Sequence, residues 1–164
     1  MKPKILVAGV LALDNLTTPR RSEEKIVGGA GVYSSISSSI FTNTALVAAI
    51  GNDFPENILH KIKEHGINIE SVSELDYPTF HWSGEYKGDM SQAITHKTEF
   101  IINEHYNWEI KEEHRKTDVL LLCNNDPNIQ LKVLEQVEAK TIAMDTMNLW
   151  IDIATDKLDL VVSQ

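Results

Sequence analysis

Residues 25–39, KIVGGAGVYSSISSS, decide how the fold of this chain is predicted. The adjacent glycines Gly28 and Gly29 follow an apolar pair, and a third glycine, Gly31, precedes a run of small residues. Glycine lets a ligand approach the backbone closely, and the first turn of a helix has N–H groups without a helical partner. The segment therefore predicts a glycine turn that opens a helix. It leaves open whether the turn binds a phosphate, another ligand or nothing.

Two common nucleotide motifs do not fit these glycines. A Walker-type phosphate loop needs a lysine and a hydroxyl residue directly after its last glycine, whereas Gly31 is followed by Val32 and Tyr33. A dinucleotide fingerprint needs another glycine three positions further on and directly follows the first strand, and neither condition is met. Binding of a dinucleotide is therefore kept only as a less favoured alternative.

Five largely apolar runs predict strands that are buried on both faces, as in a parallel sheet. They occupy residues 4–10, 44–50, 118–123, 140–145 and 158–162. Between several of these runs, apolar residues recur at helical spacing, at residues 30–41, 55–65 and 128–138. This alternation predicts an α/β domain with a mostly parallel sheet flanked by helices.

Two segments break the alternation. Residues 15–27 are polar, and residues 76–103 hold two extended stretches joined by a turn at Gly88 and Asp89. The second segment is either a surface hairpin or a small β lid over a site at the carboxyl ends of the main strands. Asp14 lies just beyond the first predicted strand, where open α/β sheets bind ligands.

The composition argues against several kinds of partner. The 164-residue chain has 24 acidic and 15 basic side chains and a formal net charge of −9. Non-specific nucleic-acid binding and anionic membranes require a cationic surface. The single cysteine, Cys123, excludes an internal disulfide, and the apolar run before Asp14 lacks a signal-peptide cleavage site. We therefore expect a soluble cytoplasmic protein without a nucleic-acid or membrane partner, and the spacing of its histidines predicts no metal site.

An ordered set of short motifs runs through the whole chain. It consists of Asp14, the pair Gly28 and Gly29, the stretch IGNDF at 50–54, Gly66 with Ile67, the hairpin at 76–103 and the stretch DTMN at 145–148. In order and spacing this set resembles the amino-terminal half of the ribokinase or PfkB-type carbohydrate kinases. The ordered set carries the resemblance, since no single motif is decisive.

The resemblance implies a ribokinase-like fold and transfer of the γ-phosphoryl group of ATP, with Mg²⁺, to a hydroxyl of a sugar or nucleoside. It implies that Asp14 accepts hydrogen bonds from substrate hydroxyls. It also implies that the backbone of Gly28 and Gly29 lines the sugar site and that Asn125 contacts the substrate. The β lid would close over the substrate and exclude water, which is a competing acceptor. No catalytic or metal-binding residue is assigned within this chain.

The sequence also departs from that family. The family's carboxyl-terminal half carries an N-x-x-E segment that helps to organise Mg²⁺ and a G-A-G-D segment that supplies the base and the anion hole. Neither occurs in this sequence. We therefore expect residues 1–164 to form an incomplete ribokinase-like domain with lid segments 15–27 and 76–103. This would be the substrate-binding half without the ATP-binding half, inactive alone and a poor binder of ATP and Mg²⁺.

Three further expectations concern the sugar, one carboxylate and assembly. Tyr33 stands where ribokinase-like members often have asparagine, and this difference leaves the identity of the sugar open. Asp53 is expected to cap the helix at 55–65 rather than to act as a base. The chain is expected to form a homodimer through the lid segment 76–103 or through an edge strand at 158–162.

The alternative function is a non-catalytic sugar-binding or assembly module, from a gene fragment or a split protein.

Overall fold

The computed structural model describes residues 2–164, which form two β-sheets and a set of helices. The strands are β1 (Ile5–Ala8), β2 (Ala12–Thr17), β3 (Ser22–Gly28), β4 (Thr44–Gly51), β5 (Asn68–Leu75), β6 (Phe80–Tyr86), β7 (Ala93–Glu99), β8 (Lys116–Leu122) and β9 (Glu138–Met144). The helices are α1 (Ala30–Ser39), α2 (Glu56–Glu64), α3 (Ile101–His105), α4 (Pro127–Leu134), α5 (Asn148–Ile153) and α6 (Thr155–Val162), with a short 3-10 helix at Glu112–His114.

The larger sheet has five strands in the order β5-β4-β1-β8-β9, and each neighbouring pair is parallel. Successive residues of a strand point to opposite faces of the sheet. In β1, Leu6 and Ala8 belong to one buried cluster, whereas Val7 belongs to another. Because both faces of β1 are covered, its residues are apolar throughout. The prediction of an α/β fold with a mostly parallel sheet is confirmed.

The helix predictions hold with adjusted ends. Helix α2 begins after Pro55, and Gly66 follows it with a φ of 75°, a left-handed conformation that suits glycine at the end of a helix. Helix α4 ends at Leu134, earlier than the predicted residue 138, because Glu138 already begins β9. Within residues 2–164, no helix is both long and apolar enough to cross a membrane.

The prediction of a final strand at residues 158–162 is wrong. These residues form most of helix α6, which packs against α4. Leu158 and Val161, three positions apart, are buried, whereas Leu160 and Val162 are exposed, which is the burial pattern of a helix and not of a strand. A homodimer that pairs an edge strand at 158–162 is therefore ruled out for this fold.

The smaller sheet has four strands in the order β3-β2-β6-β7. It consists of two antiparallel hairpins, β2-β3 and β6-β7, joined by parallel pairing of β2 with β6. Residues 15–27 and 76–103 thus contribute strands to one sheet, and the second hairpin turns at Gly88. Ile102, within the predicted segment 76–103, lies instead in α3 and is fully buried in the core of the larger sheet.

Asp53 does not cap α2, contrary to the sequence prediction. The N-cap of α2 is Pro55, so Asp53 lies too early to reach the first turn. Asp53 Oδ1 instead accepts hydrogen bonds from the backbone N–H of Thr79, at 2.8 Å, and from its hydroxyl, at 2.6 Å. The N–H of Gly51 also donates to Thr79 Oγ1, at 2.9 Å. Asp53 therefore connects the end of β4 in the larger sheet to the start of β6 in the smaller one.

Candidate functional site

A cavity of about 940 Å³ lies where the carboxyl ends of the main strands face the smaller sheet. Its walls follow from the topology, because the segments after β1, β8 and β9 all emerge at the same edge of a parallel sheet. The residues that line it are Val10, Ala12, Asp14, Gly29, Ala30, Phe80, Trp82, Gln92, Ala93, Thr95, Thr98, Phe100, Asn124, Asn125, Met147, Asn148, Leu149, Trp150 and Asp152.

Asp14 is a residue of this cavity whose side chain has a shifted pKa. It lies within β2 of the smaller sheet, not in a loop after β1, and pairs with Ile26 and Trp82 of the neighbouring strands. Burial raises its pKa from 3.8 to about 6, against the opposing effects of His81 and of a hydrogen bond from the Trp82 backbone. Among residues 2–164, no group forms a hydrogen bond with the buried Oδ1 atom. Asp14 therefore lines the cavity with a carboxyl group of which one oxygen has no partner in the described fold.

The two glycines after β3 have different structural roles. A Cβ on Gly28 would lie 2.0 Å from Asp14 Oδ2, so Gly28 makes room for the carboxylate. Gly29 lines the cavity with a φ of 91°, and a Cβ there would lie 2.3 Å from the carbonyl oxygen of Val10. Both positions thus favour glycine for steric reasons.

The start of α1 does not form an open phosphate site. The N–H of Gly31 donates to the carbonyl of Val10, at 2.9 Å, and the N–H of Val32 donates to the carbonyl of Gly29, at 3.2 Å. A phosphate site at a helix start needs such N–H groups free to point at the anion. Of the readings left open by the glycine segment, the phosphate site is therefore the one that this geometry disfavours.

Asn125 follows β8 and is 6% exposed. Its Oδ1 accepts hydrogen bonds from the backbone N–H of Asp126, at 2.9 Å, and from the side-chain amide of Asn103, at 3.3 Å. These donors occupy the oxygen, so Nδ2 is the group that Asn125 can present to a ligand. Of the four predicted site residues, Asp14, Gly29 and Asn125 line one cavity, and Gly28 packs against Asp14.

Two further polar residues of the site, Asn124 and Trp150, are not predicted from the sequence. Asn124 has a buried Oδ1 without a hydrogen-bond partner among residues 2–164, and its Nδ2 donates to Met147 Sδ at 3.3 Å. Trp150 likewise has a buried indole N–H without a partner in the described chain. Asn124 had a signal in the sequence, since it stands beside Asn125 at the same strand end. Trp150 had none, because its position depends on how α5 packs.

One wall of the cavity is aromatic. Phe80 and Phe100 pack edge to face with ring centroids 5.4 Å apart, and Phe100 packs against Trp150 at 6.4 Å. On the smaller sheet, the indole N–H of Trp82 donates to Thr95 Oγ1 at 3.1 Å. The cavity thus combines a broad apolar surface with a few polar groups, the composition of sites that orient small organic ligands.

No protein-family model matches this chain, and no curated protein matches it in sequence. Solved structures match its fold. A nucleoside kinase of Methanocaldococcus jannaschii, an archaeal member of the ribokinase family, matches with a TM-score of 0.68 over 98% of this chain at 17% identity. A nucleoside kinase of Burkholderia thailandensis in complex with inosine has a TM-score of 0.68 over 96% of this chain at 15% identity. A putative sugar kinase of Clostridium perfringens has a TM-score of 0.59 over 98% of this chain at 20% identity.

These likenesses define the class of fold. The chain has the ribokinase-like α/β fold, with a mostly parallel sheet flanked by helices. It spans 58%, 57% and 55% of the length of the three matching structures, respectively. Identities this low establish the fold and leave activity, substrate and partners to be inferred from the site.

Proposed function

We propose that this chain binds a sugar or nucleoside in the cavity, as the substrate-binding part of a PfkB-type kinase. The observation that carries the proposal is the buried Oδ1 of Asp14, which has no hydrogen-bond partner among residues 2–164. A buried carboxylate oxygen without a donor is costly, and a hydroxyl group of a carbohydrate would supply one. In this proposal Asp14 accepts from ligand hydroxyls, and Asn125 donates its side-chain amide.

The glycine pair places the ligand in this mechanism. Gly28 leaves space for the Asp14 carboxylate, and Gly29 allows the ligand to approach the backbone where β3 ends. The smaller sheet acts as the lid, with residues 15–27 and 76–103 covering the ligand. Exclusion of water would favour transfer of a phosphoryl group to the ligand hydroxyl over hydrolysis.

The proposal gives the residues of this chain no role in holding ATP or Mg²⁺. The N–H groups of Gly31 and Val32 at the start of α1 already donate hydrogen bonds within the fold. The sequence also contains neither G-A-G-D nor N-x-x-E, the segments that serve these groups in the family that it resembles. ATP would supply the transferred phosphoryl group in a complete enzyme, and this chain would hold and orient the acceptor.

A nucleoside fits the cavity better than a simple sugar. The aromatic wall of Phe80, Phe100 and Trp150 suits a planar base, while Asp14 and Asn125 suit the ribose hydroxyls. The matching kinase of B. thailandensis was solved with inosine, which supports the same choice. We therefore place nucleosides ahead of hexoses as ligands.

Calorimetric titration of the purified chain with inosine, ribose and fructose tests the proposal. We expect inosine to bind most tightly, and Asp14→Asn to weaken its binding by about 1.5–3 kcal/mol, the range for hydrogen bonds to a charged group. Asp118→Asn is the matched control, because Asp118 pairs with Lys140 on the surface of the larger sheet. Equal affinity of the wild type and Asp14→Asn, or no binding of any of the three ligands, would refute the proposal.

A further inference from the structure

His114 is a fully buried histidine outside the cavity, and one of its ring nitrogens is unused. Nδ1 lies 2.7 Å from the hydroxyl oxygen of Ser71. Nε2 is buried and has no hydrogen-bond partner among residues 2–164. Its ion-pair neighbour is Glu70, whose Oε2 lies 4.0 Å away, beyond hydrogen-bonding distance. A buried imidazole nitrogen without a partner calls for a ligand at this position.

Two carboxylates lie near the imidazole ring of His114. Glu70 and Glu113 each offer one carboxylate oxygen, and these oxygens and a ring nitrogen of His114 lie within 4.8 Å of one another. Like charges at this separation repel each other. A cation between the three groups would remove that repulsion and give the buried nitrogen a partner.

A bulge in the backbone of β5 brings Glu70 and Ser71 to the same side chain, His114. Asn68 pairs with Ala45 and Ser71 pairs with Val47, so β5 carries one more residue than β4 between these pairs. Such a bulge changes the direction of a side chain, which lets the adjacent residues Glu70 and Ser71 both reach His114. The side-chain amide of Asn68 also donates to Glu70 Oε2, at 2.8 Å.

We propose that His114, Glu70 and Glu113 bind a divalent transition-metal ion of the zinc type, with water completing its coordination. Zinc binds imidazole nitrogen at about 2.0–2.1 Å and carboxylate oxygen at about 2.0–2.2 Å. In tetrahedral coordination two such ligand atoms lie about 3.4 Å apart. The present 4.0 Å between His114 Nε2 and Glu70 Oε2 would therefore contract by about 0.6 Å on binding. A ligand set of imidazole nitrogen and carboxylate oxygen suits zinc and other divalent first-row transition metals, whereas Mg²⁺ and Ca²⁺ prefer oxygen ligands alone.

Ser71 completes the site by orienting the imidazole. If Nδ1–H donates to Ser71 Oγ, the lone pair of Nε2 is left for the metal, the arrangement common for metal-binding histidines. Ser71 Oγ is itself held by the backbone N–H of Lys111, at 3.1 Å.

The bound ion would connect two parts of the fold. Glu70 belongs to β5, an outer strand of the larger sheet, whereas Glu113 and His114 belong to the 3-10 helix before β8. A metal that binds both segments stabilises the folded state in proportion to its affinity and concentration. The site thus has a structural role that is independent of ligand binding in the cavity.

Titration of the chelator-treated, tag-free chain with Zn²⁺ tests this site by calorimetry and thermal unfolding. We expect one tight site and a higher Tm with Zn²⁺. Glu113→Gln and Glu70→Gln should each lower the affinity by at least about tenfold. Glu112→Gln is the matched control, because Glu112 lies in the same 3-10 helix but outside the group of three ligands. Co²⁺ in place of Zn²⁺ should give a visible absorption band that Glu113→Gln weakens.

Three outcomes would overturn the proposal. One is the absence of Zn²⁺ binding at micromolar concentration. Another is an affinity of Glu70→Gln and Glu113→Gln equal to that of Glu112→Gln. The third is binding that His60→Gln abolishes, which would place the ion at the surface pair of His60 and Glu64. Both glutamate ligands are exposed, so their variants should fold even if a substitution of the buried His114 does not.

Discussion

The carboxylate of Asp14 and the backbone of Gly28 are so close that a Cβ on Gly28 would lie 2.0 Å from Asp14 Oδ2. The two residues belong to the paired strands β2 and β3, in which Ala12 stands opposite Gly28 and Asp14 opposite Ile26. Any side chain at position 28 would have to displace the carboxylate. The glycine at position 28 is therefore part of how the fold positions Asp14.

Gly28→Ala tests this relationship through a double-mutant cycle. The added methyl group should destabilise the protein by about 1–3 kcal/mol, the usual cost of overpacking. In an Asp14→Ala background the same substitution should cost much less, because the atoms that it meets are gone. Urea denaturation of the four proteins measures the coupling. Equal costs in the two backgrounds would mean that the backbone, and not Asp14, requires glycine there.

The pKa of Asp14 predicts how stability depends on pH. Burial raises this pKa from 3.8 to about 6. The folded state is therefore less stable when Asp14 is ionised than when it is protonated. The favourable contribution of the protonated form is fully present below about pH 4 and is lost as the pH rises through about 6. The shift corresponds to at most about 3 kcal/mol, and solvent screening of this half-buried group reduces the expected effect to about 1–2 kcal/mol.

Asp14→Asn is the variant that isolates this effect, because it cannot ionise. Its free energy of unfolding, relative to that of the wild type, should rise between about pH 4 and about pH 7. Urea denaturation of both proteins across that range measures the difference, with Asp118→Asn as the surface control. A difference that stays constant with pH would show that Asp14 titrates normally.

Much of the larger sheet could be predicted because its strands are covered on both faces. The runs around Leu6, Leu46 and Leu120 are apolar at successive positions, a local signal that needs no tertiary knowledge. Strand β3 gave no such signal, since its first four residues are exposed and polar. The run at 158–162 was misassigned because a short apolar segment fits a strand or one face of a helix equally well.

The cavity was predictable only where it follows strand ends. Asp14 and Asn125 stand next to apolar runs, so their approximate location follows from the topology of a parallel sheet. The sequence did not reveal that β2 carries Asp14 into the smaller sheet or that Trp150 reaches the same cavity. The three proposed metal ligands were also missed, because they come from separate segments that only the fold brings together.

Asp53→Ala should destabilise the contact between the two sheets. Asp53 Oδ1 accepts both the N–H and the hydroxyl of Thr79, and Thr79 is 2% exposed. Loss of these bonds to a charged acceptor should cost about 1.5–3 kcal/mol. Urea denaturation measures the loss, and Glu56→Gln, an exposed change in the first turn of α2, serves as the control. A change in Asp53→Ala no larger than that in Glu56→Gln would argue against the connecting role.

The isolated chain should not transfer phosphate from ATP to inosine, ribose or fructose. Phosphoryl transfer depends on positioning, metal and charge stabilisation, and the sequence contains neither G-A-G-D nor N-x-x-E. Mass-spectrometric detection of phosphorylated product after incubation with Mg²⁺ and ATP measures this. Product that persists through purification to homogeneity and disappears in Asp14→Asn would contradict the expectation. Such a result would place the transfer machinery within these 164 residues.

Assembly through the smaller sheet is the last expectation. Strand β7 forms one edge of this sheet, with Ile94 44% exposed on the strand and Met90 48% exposed in the turn before it. An outer strand with exposed apolar side chains favours pairing with another chain. We expect a homodimer that buries this edge. Sedimentation at micromolar concentration measures it, and a single species near the 18.4 kDa chain mass would contradict it.

Ile94→Lys is the variant that tests where the two chains meet. Ile94 does not line the cavity, whereas its neighbour Thr95 does, so the substitution should dissociate the dimer and leave inosine binding unchanged. Leu160→Lys is the matched control, because Leu160 is similarly exposed but lies on α6. Trp82 is less suitable for this test, since its indole lines the cavity and donates to Thr95. If Leu160→Lys dissociates the dimer and Ile94→Lys does not, the contact lies at α6 instead of at the smaller sheet.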